Sequence, residues 1–333
     1  MTVAGPIGEA VELEAVEQAP VQRNKIKTGE GRFAAILVAP TIALLVLVVG
    51  YPILKGLWSS LHGDGGGKID PTTGFLAKGG QWVGLTNYKH WLLERCGNTS
   101  CPSGNLGSQF WASIETTLLF AVATVVLETI IGMGFALVMN REFTGRGIVR
   151  AAILIPWAIP TAVTTKMWVV IFQPDGIINK VLHTHFLWTT SSGAQRSAII
   201  LADTWKTTPF IALLLLAGLQ NISADIYESA RMDGANAWQR FTKITLPLIR
   251  PALAVAVIFR ALDALRMYDL PQIFAGGSNG TTTISILDVK ELTSSPNSAS
   301  ALSTISFVFI FAIALGMVKL FNANIGGKAA GLK

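Results

Sequence analysis

Charge is what this chain has least of. Asp, Glu, Lys and Arg make up 14% of its 333 residues, against about a quarter in ordinary water-soluble domains. With 51% hydrophobic residues gathered into long runs, that shortage excludes a soluble globular domain and places the chain among membrane proteins. Cysteine is also scarce. Cys96 and Cys101 share one polar stretch, and His62, His90, His183 and His185 all lie outside the apolar runs. No Cys/His group has metal-ligand spacing, so no metal site is expected. The two cysteines can form a local disulfide where their loop faces an oxidising compartment. The net charge of +6 does not point to nucleic acid, because the basic residues flank apolar runs and build no stripe with aromatics.

Catalytic motifs are missing as well. Gly65-Gly66-Gly67-Lys68 continues into Ile69, so no phosphate-binding G-x-x-x-x-G-K-[ST] loop exists and no nucleotide site is expected. The segment Gly276-Gly277-Ser278-Asn279-Gly280 satisfies the G-x-S-x-G hydrolase pattern. That elbow needs a strand-to-helix turn in an α/β sheet, and the surrounding apolar runs read as helices. H-E-x-x-H is absent, which removes the commonest membrane metalloprotease signal.

What is present is a set of six apolar runs, each long enough to cross about 30 Å of hydrocarbon as a helix of roughly 20 residues. They cover about residues 33–54, 111–139, 151–172, 197–219, 251–274 and 301–321. The second holds Glu115 and Glu128, and the third holds Pro156, Pro160 and Lys166. Its prolines remove backbone donors and are expected to kink it. The expected fold is therefore an all-α integral membrane protein of six transmembrane helices. Lys and Arg in the segments 1–32, 140–150, 220–250 and 322–333 outnumber those in 55–110, 173–196 and 275–300. By the positive-inside rule both termini are then cytoplasmic, and the loop 55–110 with its two cysteines is extracytoplasmic. Residues 1–32 carry Glu9, Glu12, Glu14 and Glu17 and read as a disordered tail. They lack the basic start of a cleavable signal peptide. A second tail covers 323–333.

Between the fourth and fifth runs, on the cytoplasmic side of this topology, lies Glu228-Ser229-Ala230-Arg231-Met232-Asp233-Gly234, followed by Ile244-Thr245-Leu246-Pro247. Ser223 and Asp225 offer caps for a short helix that ends at Gly234. A second helix is expected over 237–245, stopping before Pro247. Such a bracket is a rigid knob, suited to passing motion from a soluble partner to the spans on either side. An ordinary amphipathic hairpin is the plainer reading.

These residues resemble the EAA loop of permeases in binding-protein-dependent ABC importers: Glu-x-Ala, three residues, Gly, nine residues, Ile-x-Leu-Pro. Ser229 stands where that family usually has alanine. Gly84-Leu85-Thr86-Asn87-Tyr88 and Ala275-Gly276-Gly277-Ser278 with Thr281–Thr283 look like two further segments of sugar permeases of the MalF/UgpA type, although Ser278 replaces the usual proline. The resemblance extends over about residues 33–321. It implies a type I importer permease in a bacterial plasma membrane, acting by alternating access on a sugar, with trehalose or a related disaccharide favoured. It implies a coupling helix in which Glu228, Ser229, Ala230, Asp233 and Gly234 meet or shape the ATPase contact, and Ile244, Leu246 and Pro247 fix the return to the membrane. The implied partners are a second permease, an ATPase dimer holding ATP and Mg, and an extracytoplasmic solute-binding lipoprotein. The chain itself would hold no cofactor and catalyse nothing.

Ionisable residues inside spans are costly unless paired or wetted, and therefore tend to face the bundle interior. Asp203 and Lys206 lie in the fourth run; Arg260, Asp263, Arg266 and Asp269 recur every three residues in the fifth. Neighbours at i,i+3 can touch, so Arg260–Asp263 and Arg266–Asp269 are expected as pairs along one stripe. By resemblance the polar sugar contact in the fourth run falls at Asp203, with Thr207 and Phe210 on about the same face, and in the fifth at Asp263 and Arg266. The alternative is that these charges only hold helices together. Other oligosaccharides or a polyol phosphate also stay open as substrates, as does a stand-alone channel or secondary transporter.

Overall fold

The computed structural model describes residues 28–64, 80–94, 106–278 and 280–329. Cys96, Cys101, the Gly65–Lys68 run, the acidic stretch before residue 28 and the last four residues lie outside them. Among the described residues all regular structure is helical, apart from one isolated bridge between His62 and Trp82. The chain divides into two compact units, residues 1–54 and 55–333.

The first unit holds α1 (Thr28–Leu45), a π turn (Val46–Gly50) and the start of α2 (Tyr51–Ser60). Its apolar side chains are exposed, as suits a helix surrounded by lipid. In the π turn the Tyr51 N–H reaches back to the Val46 carbonyl, one residue further than in an α-helix. Pro52 follows directly, and the widened turn makes room for a ring that would otherwise press on the carbonyl four residues back.

In the second unit, α2 ends at Ser60 and α3 (Thr86–Leu93) folds back beside it. The Asn87 amide donates to the Ser60 and His62 carbonyls at 2.8 and 2.9 Å, and the Tyr88 and Ser60 hydroxyls meet at 2.6 Å. Gly84 takes φ +58° in the turn before α3. The Gly84–Tyr88 segment is thus a staple for this corner. Helix α4 (Leu106–Asn140) follows, then α5 (Arg146–Ala158) and α6 (Thr161–Ile171). These last two are bent by 95° at one break, so the expected third span is two half-helices. Pro160 is the cause: a residue before proline is pushed out of helical geometry, and Ile159 sits at φ −77°, ψ 133°. Pro156, by contrast, lies inside an intact α5.

After α7 (Ile177–Leu182), the Ser191 hydroxyl caps α8 (Ser192–Gln220) by accepting from the Ala194 N–H. Helices α4 and α8 approach closely at Gly132, where a small residue lets them meet. A Cβ on Gly132 would lie 3.0 Å from Ile211 Cγ2. The short α9 (Ala224–Met232) and α10 (Ala237–Arg240) come next, then a second π turn (Phe241–Thr245) that runs straight into α11 (Leu246–Ala264). The expected helix stop before Pro247 is therefore wrong: residues Ala237–Ala264 form one 28-residue helix. The Leu246 N–H bonds the Phe241 carbonyl, widening the turn ahead of Pro247 as at Pro52. The expected fifth span is shifted in consequence. It ends at Ala264, and α12 (Asp269–Ala275) is a separate element.

Helix α13 (Ile284–Ser294) is anchored at its start by three contacts. The Thr283 hydroxyl donates to the Met267 carbonyl at 2.8 Å and accepts from the Ile286 N–H, while the Ile284 N–H donates to Thr117 Oγ1 at 2.9 Å. Helix α14 (Pro296–Ala329) closes the chain. Its first N–H groups, at Asn297 and Ser298, donate to the two oxygens of Asp64, each at 2.9 Å, which satisfies donors that a helix cannot pair itself. Among the described residues, five helices are long and apolar enough to cross a membrane, or six when α5 and α6 count as one span.

Candidate functional site

The buried charge of the bundle converges on Arg260. Its side chain is 2% exposed and carries three carboxylates from three helices. Nε donates to Glu128 Oε2 at 2.6 Å and Nη2 to Glu128 Oε1 at 2.9 Å, a two-point clamp onto α4. Nη2 also meets Asp203 Oδ2 on α8, and Nη1 reaches Asp263 Oδ2 on its own helix at 2.8 Å. Only a guanidinium offers five planar donors for such a set. The Thr207 hydroxyl bonds Glu128 Oε1 at 2.5 Å and the Asp203 carbonyl at 2.7 Å. Lys206 forms no ion pair in the hub and donates instead to the Ile159 carbonyl at 2.8 Å. That carbonyl lies at the α5–α6 break, so Lys206 supplies a donor where the helix cannot.

Of the five residues expected along the sugar route, the structure gathers Asp203, Thr207 and Asp263 around Arg260. Phe210 lies away from the charges, in the core between α4, α8 and α11, with its ring stacked on Trp157 at 6.1 Å. Arg266 falls beyond the end of α11. The expected Arg266–Asp269 pair does not form, because the helix breaks between them and the three-residue spacing no longer sets one face. Glu128, which meets Arg260 at two points, is not among the residues expected along the sugar route. Its only signal is a carboxylate inside an apolar run.

Asp263 is 74% exposed and opens onto a cleft of about 1250 Å³ bounded by α11, the loop to α12, α13 and α14. Arg266 and Tyr268 also line it, as do Ser285 and Asp288 from α13 and Ser306, Phe307 and Phe311 from α14.

At the other end of α11 lies the bracket of α9 and α10. The Ser223 hydroxyl accepts from the Asp225 N–H at the start of α9. At its end the Ala235 N–H bonds the Ala230 carbonyl and the Gly234 N–H the Arg231 carbonyl, the paired closure of a Schellman motif. Gly234 holds φ +76°, a conformation that side-chain-bearing residues resist. Asn236 and Gln239 then exchange side chain-to-backbone bonds of 2.8 Å as a capping box at α10. The Tyr227 hydroxyl ties α9 to Thr245 in the π turn at 3.0 Å. Ala230 is buried, whereas Glu228, Ser229 and Asp233 are exposed. Ile244, Leu246 and Pro247 are half-buried where the bracket enters α11. Met232 and Trp238 stand 88% and 71% exposed, an apolar tip on an otherwise polar bracket.

The helical bundle thus combines a broken span, a buried charge hub and a capped bracket. The chain belongs to the family of inner membrane components of binding-protein-dependent transport systems, whose model matches residues 128–326. It is 36% identical to the trehalose transport system permease protein SugA of Mycobacterium tuberculosis, over 96% of this chain and 100% of that protein. It is 35% identical to the trehalose/maltose transport system permease protein MalF of Thermococcus litoralis, over 89% of this chain and 96% of that one. Among solved structures, a bacterial ABC transporter that imports the acidic polysaccharide alginate superposes with a TM-score of 0.71 at 21% identity, covering 89% of this chain and 96% of that chain. The chain is thus a multi-pass inner-membrane permease of a binding-protein-dependent ABC importer. It is a non-catalytic subunit, and the ATPase is a separate partner.

Proposed function

We propose that this chain forms half of the pathway of an ATP-driven importer that takes trehalose or a related disaccharide from an extracytoplasmic binding protein. A second permease supplies the other half, and an ATPase dimer with ATP and Mg drives alternating access. Both termini and the α9–α10 bracket face the cytoplasm. The observation that carries this reading is mechanical: the bracket and the charge hub lie on one helix. From Ala237 at the bracket to Arg260 at the hub is about 35 Å of unbroken helix at 1.5 Å per residue. Glu228, Ser229, Ala230, Asp233 and Gly234 form the docking knob, and Ile244, Leu246 and Pro247 make its junction with the lever. Closure of the ATPase dimer pulls the knob, and α11 carries the motion to Arg260, which is bonded to α4 and α8.

Within the hub, Asp203 and Thr207 hold Arg260 and Glu128 in register, Phe210 packs the helices beneath, and Asp263 and Arg266 face the sugar. A polyol phosphate is the second substrate class, favoured by Arg266, whose guanidinium lines the cleft with no ion pair among the described residues. The test is uptake into proteoliposomes that hold the full importer with its binding protein and ATP inside. ATP-dependent accumulation of labelled trehalose supports the reading. Accumulation of a polyol phosphate with no disaccharide uptake moves the substrate to the second class. Uptake that is independent of ATP returns the chain to a stand-alone channel or secondary transporter.

A further inference from the structure

The cleft beside Asp263 contains a carboxylate that nothing in the hub uses. Asp288 lies on α13, five residues beyond the Thr283 anchor. Its Oδ1 is buried and has no hydrogen-bond partner. A buried acceptor left unpaired is costly, and one that lines a cavity is placed to accept from a ligand donor. Three hydroxyl side chains, Ser285, Ser303 and Ser306, line the same cleft. Across it, Phe307 and Phe311 lie one turn apart on α14, their rings stacked at 5.9 Å and only 11° from parallel. Both residues line the cavity and both are exposed.

From this arrangement we infer that Asp288 and the Phe307–Phe311 face form a binding subsite for a neutral polyhydroxylated ring, which rests on the sugar-import reading above. A pyranose has the matching chemistry. Its ring hydroxyls donate to a carboxylate and exchange bonds with serine hydroxyls, while its C–H face packs on an aromatic plane. A hydrocarbon ligand would leave Asp288 Oδ1 unpaired. An anionic ligand would meet the carboxylates of both Asp288 and Asp263, against the single guanidinium of Arg266. The volume of about 1250 Å³ exceeds the 300–1,000 Å³ or so of closed small-molecule pockets, as expected for one side of a chamber. Asp263 joins this cleft to the hub, because the carboxylate that faces the ligand is the one held by Arg260 Nη1.

The test uses the complete importer in proteoliposomes with its binding protein. Initial uptake is measured for trehalose, maltose, sucrose and glucose, beside binding-protein-stimulated ATP hydrolysis. Asp288→Asn and Phe307→Ala are each expected to lower disaccharide uptake at least about tenfold, with ATP hydrolysis within about twofold of wild type. Disaccharide uptake by both variants within about twofold of wild type overturns the subsite and leaves the sugar-import reading intact. If the wild-type importer takes up none of the four sugars, the sugar-import reading itself fails and the subsite falls with it. A Ser303→Cys variant in a chain without Cys96 and Cys101 covers loss of the other variants through misassembly. Sugar supplied at constant binding protein is expected to slow its alkylation by a small maleimide several-fold. Alkylation that is equally slow with and without sugar identifies the cleft as a contact with the second permease and overturns the subsite.

Discussion

Arg260 and Glu128, 132 residues apart in the chain, form a two-point ion pair inside the helix bundle, with Nε–Oε2 at 2.6 Å and Nη2–Oε1 at 2.9 Å. The pair links α11, which grows out of the α9–α10 bracket, to α4. Through Asp203 the same guanidinium also holds α8. Three helices therefore share one cation, and none of the three can slide without breaking a buried, charge-assisted bond.

Removing the cation should be far worse than removing one anion. Arg260→Ala leaves buried carboxylates without a partner, which typically costs about 3–5 kcal/mol. Glu128→Gln keeps the shape and an acceptor, and should cost less. The check is the thermal unfolding midpoint of the purified chain in detergent. An Arg260→Ala midpoint within a degree or two of wild type means that the hub does not hold the bundle. Arg260→Lys should behave nearly as badly as alanine, because one ammonium cannot reach three helices in the plane of the guanidinium.

Close helix approach makes a second prediction. A Cβ on Gly218 would lie 2.5 Å from the Cβ of Ala252, an atom fixed to backbone that cannot rotate away. Gly218→Ala should therefore push α8 and α11 apart and destabilise the chain by about 1–3 kcal/mol. Gly134→Ala is the matched control, since nothing lies within 4 Å of a Cβ there and alanine is the better helix former. Equal midpoints for the two variants contradict the packing described.

Asp288 gives a pH dependence of definite sign. It lies on α13, outside the segments long enough to span. Burial pushes its carboxyl up to about 7, partly offset by a hydrogen bond from Ser306. Asp263, Arg266 and Tyr268 line the same cleft. A raised carboxyl favours the protonated folded state, so its contribution is fully present below the unfolded value near 3.8 and is lost as pH rises through about 7. Wild type should therefore lose stability between about pH 5 and 8 relative to Asp288→Asn. Each pH unit separating the folded and unfolded values corresponds to about 1.36 kcal/mol, so the whole loss is at most about 4 kcal/mol, and less because the group is not fully buried. Unfolding midpoints of the two proteins at pH 5 and pH 8 measure it. A gap between them that is no wider at pH 8 than at pH 5 contradicts the placement of Asp288.

Local signals in the sequence carried most of the bracket. Ser223 as a cap, Gly234 as a positive-φ terminus and Arg260–Asp263 as an i,i+3 pair each depend on residues within a few positions of one another. The apolar runs likewise follow from composition alone. What escaped was set by distance or by backbone detail. Glu128 finds Arg260 only after α4 and α11 pack, and no local pattern joins positions 132 apart. Pro247 reads as a helix stop because the π turn that accommodates it leaves no compositional trace. The same holds for the break at Ile159: two prolines announce a kink, but which of them breaks the helix, and by 95°, depends on the packing around Lys206. Asp288 carries no sequence signal of its own, because it lies outside every span in an ordinary amphipathic turn.

We propose that the bracket closed by Gly234 docks an ATPase and drives the hub through α11. This is tested most directly by affinity purification of this chain from native membranes in mild detergent, comparing wild type with Gly234→Val and identifying the chains recovered by mass. Valine at φ +76° is strained whatever the space around it, so the knob should deform while the spans stay folded. Wild type is expected to bring down an ATPase and a second permease, and Gly234→Val to keep the permease but lose the ATPase. Recovery of the wild-type chain alone, or full retention of the ATPase by Gly234→Val, would contradict the proposal.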